Sequence, residues 1–160
     1  MTNKISSRAR ELVARLGACG KTLSAAESCT GGWFSKSVVD VPGASAVFFG
    51  GVVSYVNAVK EHVLGVSAED LSHYTAVSAP VAAAMAQGVR RLTGSDIAVS
   101  VTGLAGPGGG TPEIPVGRVY IGLSMDEGCE VLSLDLSGDR DSVRVQAVLS
   151  MLEEIIKRLR

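Results

Sequence analysis

Between residues 22 and 39 the chain changes its hydrophobic period within a few positions. Thr22 to Ala26 is a short, apolar, β-compatible run that passes directly into Glu27-Ser28-Cys29-Thr30-Gly31-Gly32, and Trp33 to Val39 beyond it suits a helix. A strand delivered through a tight turn into a helix is the building step of an α/β chain. The other segments fit around it. Ile5, Ala9, Leu12, Val13 and Leu16 recur at helical spacing until Gly17 and Gly20, so a helix precedes the strand. Val47 to Tyr55 reads as a second strand, and Asn57 is placed to cap a short helix holding Lys60 and Leu64 that Gly65 closes. Ser67 with Asp70 begins another helical turn, and Ser78 begins a longer helix with a stripe of Val81, Met85, Val89 and Leu92 among alanines. Ile97 to Val101 reads as a buried strand and Thr102 to Gly117 as a Gly/Pro-rich loop. Arg118 to Ser124 and Glu130 to Asp135 read as strands joined by a turn at Asp126-Glu127-Gly128. A last helix carries the stripe Val145, Leu149, Leu152, Ile156 and Leu159, with i, i+4 ion pairs Glu153 to Lys157 and Glu154 to Arg158 on its wet face. The expectation is a single domain over residues 1–160: a three-layer α/β/α sandwich around a mixed, mostly parallel sheet of about five strands.

Composition narrows the partners. Fifteen Lys plus Arg against sixteen Asp plus Glu leave a net charge of -1, which removes the electrostatic ground for binding nucleic acid or an anionic membrane. A small molecule or a protein partner remains. Three cysteines at unrelated spacings and two histidines predict neither a disulfide framework nor a metal site, and fit the reducing cytoplasm. No residue from Val41 to Val59 is charged, but Pro42, Gly43, Gly50, Gly51 and Asn57 divide that run into turn, strand and turn rather than a membrane span. Met1 to Gly20 carries charges throughout and reads as neither signal nor anchor. A mean hydropathy of +0.30 predicts apolar surface covered by another subunit, hence a homo-oligomer.

Three places invite chemistry, each with a plainer alternative. Ser28 at a strand end, with small residues and a helix start after it, has a nucleophile's address, and the amides of Thr30, Gly31 and Gly32 could hold an oxyanion or a phosphate. The alternative is a Ser N-cap ahead of tightly packed glycines. Neither G-x-S-x-G nor S-x-x-K is present, so any base comes from elsewhere in the chain. Lys60 lies just past the second strand and could be that base if desolvation lowers its pKa, with Tyr55 passing or steadying the proton; the alternative is a solvated surface lysine. Thr102-Gly103-Leu104-Ala105-Gly106-Pro107-Gly108-Gly109 is neither a P-loop nor a dinucleotide fingerprint, yet so long an irregular loop in a small domain suits binding. Gly138-Asp139-Arg140, with Arg144 one turn on, offers cations for phosphate or carboxylate, or else simple helix capping by Asp139.

Taken together, Ala26 to Gly32, Gly50 to Lys60, Ala76-Val77-Ser78, Thr102 to Gly109 and Gly138-Asp139-Arg140 resemble the C-terminal domain of the competence/damage-inducible protein CinA, whose stand-alone form is the nicotinamide-nucleotide amidohydrolase. The likeness runs from about Leu12 to Leu159 and leaves no room for the N-terminal molybdopterin-binding-like domain of full-length CinA. It implies hydrolysis of the carboxamide of nicotinamide mononucleotide without a cofactor. Ser28 would then be the nucleophile, Lys60 the general base and Tyr55 their partner, with amides near Thr30 and Gly31 as the oxyanion hole. Beside that resemblance, Thr102, Gly103, Gly106, Gly108 and Arg140 are read as the holders of the ribose phosphate. The rival expectation is a non-catalytic module that binds a nucleotide or a partner in the competence or damage response.

Overall fold

The central strands β1 (Leu23–Glu27) and β3 (Ile97–Gly103) are short runs buried on both faces. The computed structural model describes residues 2–159. Along them lie α1 (Thr2–Cys19), β1 (Leu23–Glu27), α2 (Trp33–Val39), a 3-10 turn (Ala44–Ala46), β2 (Phe48–Val53), α3 (Asn57–Leu64), α4 (Ala68–Tyr74), α5 (Ala79–Thr93), β3 (Ile97–Gly103), β4 (Arg118–Met125), β5 (Gly128–Asp135) and α6 (Arg140–Arg158). The strands form one sheet in the order β2-β1-β3-β4-β5. β1 pairs in parallel with β2 on one side and β3 on the other, while β4 runs antiparallel to both β3 and β5. A mixed five-stranded sheet is therefore realised as expected.

Alternation assigns the layers. Leu23 and Ala25 of β1, Ile97, Val99 and Val101 of β3, and Val119, Ile121 and Leu123 of β4 point into one core with the apolar faces of α1, α2 and α6. Ala26 and Ala98 point the other way, against Val81, Met85 and Val89 of α5 and against Leu64 of α3 and Leu71 of α4. Helices on both faces make the α/β/α sandwich. Phe49 and Val53, on the outer edge strand β2, remain about half-exposed. Part of the apolar excess behind the expected homo-oligomer sits there.

Several details differ from the sequence reading. Asn57 is the first residue of α3 rather than its cap; extended Val56 holds the cap position, with no side-chain bond. Glu153 pairs with Lys4 at 3.1 Å and Arg8 at 3.6 Å, because α1 lies against α6, and Lys157 turns to Glu154 instead; Glu154 with Arg158 holds at 2.9 Å. The buried stripe of α5 ends at Val89, and Leu92 in the last turn is exposed. β3 continues through Thr102 to Gly103, so the Gly/Pro loop starts two residues later than expected.

One glycine sets where α3 lies. A Cβ on Gly88 of α5 would stand 1.9 Å from the carbonyl oxygen of Leu64, the last residue of α3. The two helices meet backbone to side, which only glycine allows. Alanine in a helix interior is favoured over glycine by about 0.8–1.0 kcal/mol, whereas overpacking a rigid contact costs about 1–3 kcal/mol. Since the obstructing atom is backbone, the clash wins. Gly88→Ala is expected to lower the unfolding midpoint by roughly 2–8 °C in a thermal melt; an unchanged midpoint would show that α3 can slide.

Candidate active site

The parallel strands end side by side, and the chain leaves β1 toward β2 on one flank before returning to β3 on the other. The crevice at such a switch point is where open α/β sheets place their ligands. Ser28 follows β1, Ser54 and Tyr55 follow β2, and Thr102 and Gly103 close β3. A cavity of about 280 Å³ opens there, lined by Ser28, Cys29, Tyr55, Lys60, Ala76, Val77, the loop from Thr102 to Gly106, Gly108 and Arg140. A larger depression, about 630 Å³, lies at the other end of the sheet beside Arg90 and Gly128. Among its described lining residues no nucleophile sits within hydrogen-bond reach of a base.

The ammonium or amine of Lys60 sits 2.9 Å from the Ser28 hydroxyl. Nζ also donates to the backbone oxygens of Ser54 at 2.7 Å and Tyr55 at 3.3 Å. Its three partners are a hydroxyl and two carbonyls, none of them charged. Lys60 is 1% exposed, and burial pushes its pKa below the ordinary lysine value. A neutral amine has two N–H bonds and one lone pair. The two carbonyls match the two N–H bonds, which leaves the lone pair facing Ser28, whose O–H then donates to Nζ. Burial is the principal cause of that pKa shift, and Arg140 is not among the charges acting on Lys60.

Ser28 itself, part of the cavity wall, is only 7% exposed. Its amide donates to the Val101 carbonyl at 3.0 Å, extending the β1–β3 pairing by one residue. The neighbouring Cys29 thiol is pushed up to about 11 by burial, so at neutral pH it is a thiol and no rival nucleophile.

The largest departure from expectation concerns the turn. Glu27, fully buried, accepts at one carboxylate oxygen from Thr30 Oγ1 (2.5 Å), the Gly32 amide (3.1 Å) and the Phe34 amide (3.1 Å). At the other it accepts from the Ser35 amide (2.8 Å) and hydroxyl (2.7 Å). The protein thus supplies its own anion to the N-terminus of α2, where a substrate anion was expected. The Gly31 amide is taken as well, by the Ser28 carbonyl at 3.1 Å. Gly31 and Gly32 have φ of 62° and 98°, the left-handed conformation that makes this turn a task for glycine. Neither Thr30 nor Gly31 lines the cavity, whereas Cys29 does.

Other expected site residues are placed as follows. Tyr55 is 59% exposed at the cavity mouth; its hydroxyl meets Arg140 Nη2 at 3.1 Å, while its contact with Lys60 is made by its backbone carbonyl. Arg140 Nη1 donates to the Gly106 carbonyl at 2.7 Å, tying α6 to the Gly-rich loop. Thr102 is buried and donates from Oγ1 to the Ala76 carbonyl at 2.7 Å. Gly103, Gly106 and Gly108 line the cavity with it. Arg144, offered above as a phosphate cation, is committed elsewhere: Nε and Nη2 donate to the carbonyls of Cys29 and Thr30, and Nη1 lies 3.6 Å from Asp141. Sequence reading assigned no part to Ser54 or Glu27. An acidic residue between an apolar strand and a helix start was the available signal for the latter.

The family model described as the CinA C-terminal domain matches residues 5–159. The chain belongs to that family. A CinA-like protein of Synechococcus sp. (strain CC9311) is 51% identical over 155 residues, 96% of this chain and 37% of that protein. One from Geobacter sulfurreducens is 49% identical over 88% of this chain and 34% of its own length. The chain therefore spans little more than a third of these relatives. A crystal structure of the competence/damage inducible protein CihA from Agrobacterium tumefaciens superposes with a TM-score of 0.93 at 36% identity, covering 96% of this chain and 94% of that one. A CinA superfamily protein from Klebsiella pneumoniae superposes with a TM-score of 0.93 at 32% identity, covering 97% of each. Among the described residues of this CinA-family chain, no helix is long and apolar enough to cross a membrane.

Burial of Lys60 has a consequence for stability. Its folded pKa lies below its unfolded value of about 10.4, so the unfolded chain binds more protons in the interval between them. The charged-lysine penalty is then complete below the folded pKa and fades as pH rises toward about 10.4. Relative to Lys60→Met, the wild-type unfolding midpoint should climb as pH is raised toward about 10. A gap between the two that stays constant over this range would mean that Lys60 titrates like a surface lysine.

Proposed function

We propose that this chain hydrolyses the carboxamide of nicotinamide mononucleotide to nicotinate mononucleotide and ammonia, with Ser28 as nucleophile and Lys60 as general base. The observation that carries this reading is the buried Lys60 Nζ at 2.9 Å from the Ser28 hydroxyl on the wall of a cavity. The likeness to the amidohydrolase form of the CinA C-terminal domain supplies the substrate.

In the first half-reaction Ser28 Oγ bonds to the carboxamide carbon as its proton passes to Lys60 Nζ. That proton then goes to the amide nitrogen as the C–N bond breaks, so ammonia leaves and a Ser28 ester remains. In the second half water attacks the ester carbon, Lys60 takes one proton from water and returns it to the Ser28 oxygen as that oxygen leaves, and the carboxylic acid formed gives its proton to solvent as the carboxylate departs. The developing oxyanion would be met by the amide of Cys29, which lines the cavity; Thr30 does not line it and the Gly31 amide is already bonded. Lys60 returns to the neutral state after each half, which its depressed pKa favours. Proton traffic stays between Ser28, Lys60, the leaving amine and water. Arg140, held between Gly106 and Tyr55 at the mouth, would place its charge against the ribose phosphate, with the Gly-rich loop around it.

Ammonia release from nicotinamide mononucleotide by the purified protein tests the reading directly. Ser28→Ala should reduce kcat by ~10⁴ to 10⁶ with the fold intact. Lys60→Arg should be nearly inactive although it keeps the charge, because a guanidinium is no base at these pH values, and wild-type activity should rise with pH along one ionisation below the ordinary lysine range. Near-normal kcat in Lys60→Arg would remove Lys60 from the mechanism.

The phosphate assignment has its own test. A charge-assisted contact contributes about 1.5–3 kcal/mol, or roughly 10- to 150-fold in kcat/KM. Arg140→Ala should therefore narrow the preference for nicotinamide mononucleotide over nicotinamide riboside by about that factor. Equal slowing of both substrates would assign Arg140 to holding Tyr55 and the loop.

A further inference from the structure

We infer that Arg144 is a positioning residue for the reaction: through Cys29 and Thr30 it sets the orientation of the turn that carries Ser28. This rests on the serine-hydrolase reading above. Arg144 sits on the second turn of α6 and is not among the residues lining the cavity. Its Nε donates to the Cys29 carbonyl at 3.0 Å and its Nη2 to the Thr30 carbonyl at 3.1 Å. The guanidinium stands over the Trp33 ring, 5.4 Å from its centre, in a cation–π contact.

Those two bonds reach the site through peptide geometry. In a trans peptide the carbonyl of one residue and the amide of the next point in opposite directions. Holding the carbonyls of Cys29 and Thr30 toward α6 therefore holds the amides of Thr30 and Gly31 away from it. The Gly31 amide lands on the Ser28 carbonyl at 3.1 Å, so Ser28 is locked into the same arrangement, with the amide of Cys29 turned out of the turn. Glu27 grips the turn through the Thr30 hydroxyl and the amides beyond; the Thr30 carbonyl also accepts from the Trp33 amide at 3.2 Å, while the Cys29 carbonyl is left to another group. Arg144 fills that place. Its rigid planar fork fixes the direction of two N–H donors onto two successive carbonyls, which a flexible lysine stem does not.

The test compares wild type, Arg144→Met, Arg144→Lys and Ser28→Ala by two readouts: ammonia release from nicotinamide mononucleotide, and the rate at which a fluorophosphonate probe labels Ser28. Misplacing a reacting group or an oxyanion donor costs ~10²-fold in rate. Arg144→Met should lose about that factor in kcat and in labelling rate while KM stays within about twofold of wild type. Arg144→Lys should recover part of the loss, on the order of tenfold, and it keeps the test open should the Met variant fail to fold. Wild-type kcat and labelling in both variants, or losses that only follow the unfolded fraction in a thermal melt, would overturn the inference. Slowed labelling of the variants with no ammonia released even by wild type would sink the substrate reading and leave the positioning role standing. A wild-type protein that neither labels nor turns over would overturn both.

Discussion

The carboxylate of Glu27 is the contact on which the site is built. An isolated buried carboxylate would cost many kcal/mol or take up a proton, but here five donors from Thr30, Gly32, Phe34 and Ser35 surround its two oxygens. Three of them are amides at the start of α2 that would otherwise lack partners. One anion thus satisfies a helix end, draws on its dipole and holds the return of the chain after β1 to a single shape. The backbone of Glu27 adds to this, since its carbonyl accepts from the Ser54 amide at 2.8 Å and keeps the exit of β2 beside it. Loss of the carboxylate would release the turn and the start of α2 together.

The approach of Ser54 to Glu27 brings neutral carbonyls, rather than a counter-ion, to Lys60. A carboxylate within a few ångströms would raise a lysine pKa, whereas desolvation among neutral dipoles lowers it by as much as several units. Lys60 meets only the second condition, because the ends of β1 and β2 present it with a hydroxyl and two carbonyls. Its helix is held there by the near contact of Leu64 with Gly88, where a methyl group has no room. The same physics acts in the opposite sense on Cys29: burial raises a thiol and lowers an amine.

Much of this was legible in the one-dimensional pattern. The strand running into small residues and a helix start marked Ser28; the lysine beyond the second strand marked Lys60; the Gly-rich loop after a buried strand marked Thr102 to Gly108. The stripes of α1, α5 and α6 announced their buried faces, apart from the exposed Leu92. What misled the reading was treating groups as free that the fold employs. The amides at the start of α2 looked like an anion site because nothing local shows that Glu27 folds back onto them. Arg144 looked like a phosphate cation because its carbonyl partners lie in another segment, and Glu153 was paired with its helix neighbour Lys157 when α1 in fact brings it Lys4.

The sequence by itself determined which segments alternate, which carry a helical stripe and where small residues break them, since these follow from steric rules acting over a few residues. It also determined which side chains could be nucleophile or base. Only the tertiary structure decided their state. Lys60 and Ser28 are 32 positions apart and Arg144 and Cys29 are 115 apart, so the desolvation that lowers the lysine and the bonds that orient the turn exist only once the sheet has brought the ends of β1, β2 and β3 together under α6. A pKa and a peptide orientation depend on everything within a few ångströms, and periodicity carries no information about neighbours so distant in the chain.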